Sequence, residues 1–263
     1  MFHHLKVYIM LLKLNFSRLL AYRSNFFYSL LVSLLWGGFS VITILTLTHR
    51  VKSFFGWTQY ELIALTLGYN FFIGIFHGLF SRNFDEFSYH VDYGLLDSLL
   101  LKPLDAQFLI SLQYIGYANF IRSGIAGVAT YVFLTNYLNL TLTFGQILFF
   151  LTIIFVALIM IYSLWLAVST LMIWSPRLSN LVDMMYSVSS LGRFPKELVL
   201  ETPYTFFLVF FPLTLIISVP MKVLLHRPLG WDLALLIFFT TGLFLFSRWF
   251  WRFALKSYTS ASG

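Results

Sequence analysis

The chain of 263 residues contains no cysteine, and only 10% of its residues are charged. Without thiols it cannot form disulfides or hold an iron–sulfur cluster. Soluble domains carry about 25% charged residues, so the low charge excludes an ordinary water-soluble protein. Hydrophobic residues make up 59% of the chain and aromatic residues 20%, and the mean hydropathy is +0.84. The sequence therefore predicts an all-α integral membrane protein, with residues 1–263 forming a single transmembrane domain.

The sequence also lacks the motifs of common enzymes. No glycine is followed by lysine, which excludes a P-loop, and neither HExxH nor GxSxG occurs. Glu61 and His77 share one predicted span but lie about 24 Å apart along it, so they cannot form one site. We therefore predict no catalytic residue, no metal site and no cofactor on this chain. A membrane-embedded enzyme of lipid or cell-envelope metabolism remains an alternative, because helices distant in sequence can bring polar groups together.

Long apolar segments predict about six transmembrane helices, since a span needs roughly 20 apolar residues. Four spans are clear, and a fifth lies within Ile110–Tyr137. Residues 176–228 contain four prolines between Pro176 and Pro228, and we interpret them as one crossing, Leu178–Leu191, followed by a re-entrant outer hairpin within residues 192–230. The four clear spans are Asn25–Thr48, Thr58–Phe80, Gly145–Ile173 and Trp231–Phe250.

The positions of the 17 lysines and arginines predict the orientation, because cytoplasmic ends carry the excess of positive charge. With both termini cytoplasmic, eleven lie inside: Lys6, Lys13, Arg18, Arg23, Arg82, Lys102, Arg122, Arg177, Arg248, Arg252 and Lys256. The outer set is Arg50, Lys52, Arg193, Lys196, Lys222 and Arg227. This scattered distribution follows the spans and does not indicate nucleic-acid binding.

Residues 1–24 predict an amphipathic helix lying in the headgroup layer, with Lys6 and Lys13 on one face. Arg122 is the one charge inside a predicted span. It either snorkels to the cytoplasmic headgroups or contacts substrate in a translocation pathway. Gly74 and Gly78 form a GxxxG pair, which favours close packing between helices, within the chain or across a dimer.

A polar segment, residues 81–106, interrupts the apolar sequence between the second and third spans. It holds five of the ten acidic residues: Asp85, Glu86, Asp92, Asp97 and Asp105. Phe84, Phe87, Val91 and Leu95 recur at helical spacing, which predicts a short amphipathic helix along the inner membrane surface. Either this helix docks on a soluble partner, or the segment is only a solvated connector.

This organisation resembles the ABC-2 type permeases, the transmembrane subunits of bacterial ABC exporters. The resemblance extends over essentially the whole chain and rests on moderately specific motifs: Gly94–Pro103 (GLLDSLLLKP), Gly192–Pro195 (GRFP), Phe211–Thr214 (FPLT) and Val219–Pro220. The resemblance implies that the helix from Phe84 to Leu96 is a coupling helix that docks on a separate ABC ATPase subunit. It assigns that contact to Phe84, Asp85, Glu86, Tyr89, His90 and Asp92.

The same resemblance implies a permease in the bacterial inner membrane that pairs with a second copy or a homologous permease. ATP and Mg would then bind the ATPase partner and not this chain, which agrees with the missing P-loop. It also implies two short re-entrant outer helices within Pro195–Pro228. The expected function is that of an exporter or flippase subunit, and a non-transporting membrane scaffold is a further alternative.

Overall fold

The computed structural model describes residues 2–49, 53–175, 178, 180–200 and 204–258. These residues are almost entirely helical, and their one hairpin pairs strand β1 (Ser53–Phe54) with β2 (Trp57–Thr58). The predicted all-α class is thereby confirmed. The α-helices are α1 Phe2–Ala21, α2 Arg23–Thr48, α3 Gln59–Phe76, α4 Arg82–Asp92, α5 Leu96–Leu100, α6 Ala106–Leu112, α7 Tyr117–Asn136, α8 Phe144–Thr170, α9 Asn180–Ser189, α10 Lys196–Leu200, α11 Tyr204–Leu224 and α12 Asp232–Lys256.

Four of the described helices are long and apolar enough to cross a membrane: Arg23–Thr48, Gln59–Val91, Phe144–Ile173 and Asp232–Lys256. They contain the four clear spans predicted from the sequence. Helix α7 has 20 residues and α11 has 21, so each is about 30 Å long and matches a hydrocarbon core of about 30 Å. These two helices have the length for a fifth and a sixth crossing, and the count of six stays a prediction.

Helix α1 is separated from α2 by a break at Tyr22. Lys6 and Lys13 are exposed, whereas Tyr8 and Leu11 on the other side are half-buried, as the amphipathic pattern predicts. The side-chain amide of Asn15 donates hydrogen bonds to the carbonyls of Leu11 and Gln113. The helix is therefore held against the segment that leads into α7.

The helix that forms the second span continues past Phe80, the residue at which the sequence predicted the end of the span. Helix α3 continues through a π-helical turn, His77–Ser81, directly into α4. The result is one helix of 33 residues over Gln59–Val91, about 50 Å long and longer than the core. No glycine or proline breaks the chain between Gly78 and Gly94, where φ reaches +66°. Helix α4 is thus continuous with the helix of the second span and not a separate helix, and its position along the membrane surface stays a prediction.

The proline-rich region is divided differently from expectation. Helix α9 has ten residues and is about 15 Å long, so by itself it cannot provide the crossing predicted for Leu178–Leu191. Short helix α10 and long helix α11 follow, where we expected two short helices. Pro212 and Pro220 lie inside α11, because a proline in an apolar environment can kink a helix without ending it. The re-entrant course of residues 192–230 stays a prediction.

The helices pack chiefly as α8 against α11 and α12, and as α3 against α7. A Cβ added to Gly74 would lie 2.8 Å from Cβ of Ser123 and 3.0 Å from the carbonyl oxygen of Asn119. A Cβ added to Gly78 would lie 2.9 Å from the ring of Phe120. The GxxxG pair therefore serves packing of α3 on α7 within the chain, which was one of the two predicted alternatives.

Candidate functional site

Helix α4 is anchored to the rest of the chain by its apolar face. Phe84 and Phe87 are fully buried and Val91 is buried, as the helical spacing predicts, whereas Leu95 lies beyond the helix and is exposed. The ring of Phe84 lies 5.7 Å from that of Trp165 on α8. The ring of Phe87 lies 5.8 Å from that of Trp251 on α12. The extension of the second span is therefore packed on two further long helices.

The other face of α4 is accessible and polar. Asp85 and Tyr89 are exposed, and Glu86 and His90 are half-buried. The structure thus brings four of the six predicted contact residues to this face. Phe84 points into the core of the chain, and the side chain of Asp92 lies outside the described part of the structure.

Sequence reasoning missed the aromatic and apolar residues that continue this accessible face. Tyr93 is 68% exposed and its ring lies 4.4 Å from that of Tyr89. Leu101, at the end of α5, is 85% exposed. A contiguous exposed apolar patch commonly marks a partner contact, whereas single exposed apolar side chains are common on any protein surface. We call Asp85, Glu86, Tyr89, Tyr93 and Leu101 the α4–α5 surface.

Helix α9 contacts the base of this surface. The hydroxyl of Tyr186 donates a hydrogen bond of 2.8 Å to Oδ2 of Asp85. The ring of Tyr186 stacks on His77 with centroids 5.2 Å apart and planes at 8°. His77 therefore serves as a packing partner at the junction of α3, α4 and α9.

Hydrogen bonds and an ion pair connect α5 and α6, with the residues beside them, to α8 and to the C-terminal part of α12. The hydroxyl of Tyr258 forms a hydrogen bond with Asp97. The pKa of Tyr258 is raised, mainly because the side chain is partly buried and to a smaller extent because of the neighbouring Asp97 carboxylate. Arg248 of α12 donates to Gln107 and lies 3.6 Å from Asp105. The amide of Gln107 donates to the hydroxyl of Tyr162 on α8, at 3.0 Å. A cavity of about 450 Å³ is lined by Asp105, Gln107, Tyr162 and Arg248.

A second charged cluster lies at the opposite end of the long helices. Lys222 donates to Oδ2 of Asp232 at 2.7 Å and to Oε1 of Glu197 at 3.1 Å. Lys196 also donates to Asp232. Lys222 is only 6% exposed and Asp232 only 4%, so each charge depends on the other, because an unpaired buried charge is costly.

The cluster extends to α3 through Arg227. Its guanidinium donates to both carboxylate oxygens of Glu61, at 2.7 and 2.9 Å, and lies 4.3 Å from the ring centre of Trp57. Trp57 in turn donates from Nε1 to Glu197 at 3.0 Å. Three cations and three carboxylates thus neutralise one another. We call them the Asp232 network: Glu61, Lys196, Glu197, Lys222, Arg227 and Asp232.

Arg122 lies apart from both clusters, on α7. Its side chain is half-buried, and no described residue accepts a hydrogen bond from its Nε or Nη2. Arg122 lies close enough to His77 for an electrostatic interaction, whereas Glu61 is paired with Arg227 in the Asp232 network, so the three residues do not converge on one site. Among the residues that the structure describes, no three histidines or carboxylates are grouped in a way that could hold a metal ion. The enzyme alternative gains no support from this arrangement.

Several long apolar helices, with an accessible polar surface at one end, are the features of a multi-pass membrane protein. The family model of the ABC-2 family transporter protein matches residues 34–262. The chain therefore belongs to this family of transporter membrane proteins, as its motifs predict. Membership implies a transport component that associates in general with an ABC ATPase subunit. No curated protein and no solved structure matches the chain.

Proposed function

We propose that this chain is the permease subunit of an ABC exporter or flippase, and that it couples ATP hydrolysis on a separate subunit to substrate translocation. The observation that carries this proposal is the α4–α5 surface, which is accessible on one side and packed on α8 and α12 on the other. ATP and Mg bind to the partner ATPase. The permease pairs with a second copy of itself or with a homologous permease.

In this proposal α4 transmits the movement of the ATPase to the spans. It is continuous with α3, it contacts Trp165 and Trp251 on two other long helices, and it accepts a hydrogen bond from α9. Pressure on the α4–α5 surface therefore reaches four helices at once. Helices packed in this way move as rigid bodies, which is the usual basis of a two-state switch.

The proposed orientation places the α4–α5 surface and both termini in the cytoplasm of a bacterial cell, with the Asp232 network at the outer face. The lysines and arginines support it, because their excess lies on the side of the termini. Exposed Lys6 and Lys13 on α1 would face the anionic headgroups of the inner leaflet.

Co-purification from native membranes tests the proposal. Tagged chain, gently solubilised, is expected to retain a stoichiometric ATPase subunit. Charge reversal by Asp85→Lys with Glu86→Lys should remove that ATPase while leaving membrane insertion intact. Since Asp85 also has an internal partner, Glu86→Lys with Tyr89→Ala repeats the test without breaking the bond to Tyr186.

The matched control is Lys256→Glu. This change reverses an exposed charge at the same end of the helix bundle as the α4–α5 surface, but outside that surface. It should keep the ATPase. Wild-type levels of ATPase in both surface variants would remove the assignment of this surface. Absence of any ATPase from the wild-type preparation would instead argue against the permease function.

A further inference from the structure

The cavity between α6, α8 and α12 is lined by polar side chains that the proposed ATPase contact does not use. Two of them are buried: Ser111 is 3% exposed and Gln107 is 8% exposed. The amide of Gln107 donates to the hydroxyl of Tyr162 at 3.0 Å, and Oγ of Ser111 lies 2.8 Å from the same hydroxyl. These hydrogen bonds hold the three side chains in fixed positions, as a binding site requires.

Two opposite charges lie side by side at this cavity. Nη2 of Arg248 is 3.6 Å from Oδ2 of Asp105, and the two side chains are 34% and 45% exposed. This separation is longer than a direct hydrogen bond. A guanidinium has five N–H donors, and within the part of the chain that the structure describes Gln107 is the one hydrogen-bond acceptor of Arg248. Both charged groups therefore keep capacity to bind a ligand.

The cavity also has an apolar wall, and it lies beside α1. Phe80, Phe108 and Leu112 line it together with the polar side chains. The ring of Phe108 lies 6.5 Å from that of Tyr8 on α1. Helix α1 has the amphipathic faces of a helix that lies where lipid headgroups meet acyl chains. A ligand in this cavity therefore meets charged, polar and apolar groups at the depth of the headgroups.

We propose that this cavity binds the headgroup of a zwitterionic phospholipid of the phosphoethanolamine type. The phosphate accepts charge-assisted hydrogen bonds from the guanidinium of Arg248. The primary ammonium donates to the carboxylate of Asp105, and the start of the acyl chains contacts Phe108 and Leu112. A headgroup that carries only a phosphate meets Asp105 as a like charge, which selects against it. This site is separate from the α4–α5 surface and requires neither ATPase docking nor transport.

Lipid titration of the purified full chain in a neutral detergent tests the site, with the midpoint of thermal unfolding as the measure of binding. The probe is phosphatidylethanolamine. Phosphatidylglycerol and diacylglycerol with the same acyl chains are the comparison lipids. The wild type should bind phosphatidylethanolamine about tenfold or more tighter than phosphatidylglycerol, because the ammonium adds a charged hydrogen bond. Diacylglycerol, which has neither charge, should bind more weakly than both.

Two variants assign the two charges. Asp105→Asn removes the carboxylate but keeps a side chain that caps α6, and it should bind the two phospholipids about equally. Arg248→Gln should bind both phospholipids about tenfold or more weakly than the wild type does, because the phosphate loses its charged donor. Arg252→Gln removes an exposed arginine from the same helix and should keep the wild-type affinities.

Three results would overturn the proposal. The wild type would bind phosphatidylethanolamine no tighter than phosphatidylglycerol or diacylglycerol, or Asp105→Asn would keep the preference, or Arg248→Gln would keep the wild-type affinities. Equal stabilisation by soluble phosphoethanolamine would overturn the assignment to a membrane lipid. If Arg248→Gln does not fold, the preference measured in Asp105→Asn decides the test, since that variant keeps the helix cap.

Discussion

The hydroxyl of Tyr186 on α9 donates a hydrogen bond of 2.8 Å to Oδ2 of Asp85 on α4. This bond joins two segments that are 101 residues apart in the chain. Asp85 belongs to the accessible face on which we place the ATPase contact, whereas Tyr186 packs on His77 and Trp165 inside the chain. The hydrogen bond therefore connects the α4–α5 surface directly to α9, so a displacement of Asp85 would act on Tyr186.

Removal of this hydroxyl should loosen α9 locally. Tyr186→Phe keeps the ring stacked on His77 but leaves Asp85 to water, and we expect a loss of about 1 kcal/mol in the free energy of unfolding. Hydrogen exchange should become faster in α4 and α9 and stay unchanged in α7. Tyr93→Phe is the matched control, because it removes a hydroxyl from an exposed ring of the same segment. Equal exchange in Tyr186→Phe and the wild type would show that the bond does not hold α9.

The buried part of the Asp232 network should be the most sensitive charged site in the chain. Asp232→Asn removes the carboxylate with which Lys196 pairs among the described residues, and it leaves Lys222 paired with Glu197. Breaking a buried pair on one side typically costs about 3–5 kcal/mol, and thermal unfolding of the purified protein should reveal a loss of this order. Asp183→Asn removes an exposed carboxylate from α9 and should change stability by about 0.5 kcal/mol or less.

A double-mutant cycle checks the cause of that loss. Lys222→Met combined with Asp232→Asn should cost less than the two single changes added together, because neither partner is then left with an unpaired charge. Additive losses would contradict the direct interaction between Lys222 and Asp232.

The sequence predicts the buried face of α4 but not the course of the helix. Phe84, Phe87 and Val91 repeat at helical spacing, and this period depends only on local geometry. The polarity of residues 81–106 predicts that the second span ends at Phe80. Polarity shows where a helix can leave the apolar core, but it does not break the helix, and no glycine or proline does so before Gly94.

The Asp232 network could not be predicted for a different reason. Glu61 and Arg227 are 166 residues apart, and no local pattern relates them. The lysines and arginines of the network were interpreted as topology signals, which is compatible with their position at one end of the helices. Their pairing depends on the packing of α3, α10, α11 and α12, which a single sequence does not specify.

The contact between α3 and α7 provides a further prediction, because two glycines differ sharply in their surroundings. At Gly74 a Cβ would lie 2.8 Å from Cβ of Ser123 and 3.0 Å from a backbone oxygen of α7, so the two helices would have to separate. At Gly124 a Cβ would meet nothing within 4 Å. Gly74→Ala should therefore lower the unfolding midpoint of the purified protein, at a cost of about 1–3 kcal/mol for overpacking.

Gly124→Ala is the matched control for this change and should leave the midpoint unchanged or raise it slightly, because alanine favours the helix over glycine by about 1 kcal/mol. If both variants behave alike, close approach of α3 and α7 within one chain is not what Gly74 provides. If Gly74→Ala changes the oligomeric state while the isolated chain keeps its stability, the GxxxG pair acts between copies, which was the other alternative from the sequence. The structure predicts the opposite result, since Ser123 and Asn119 of the same chain already occupy the space in front of Gly74.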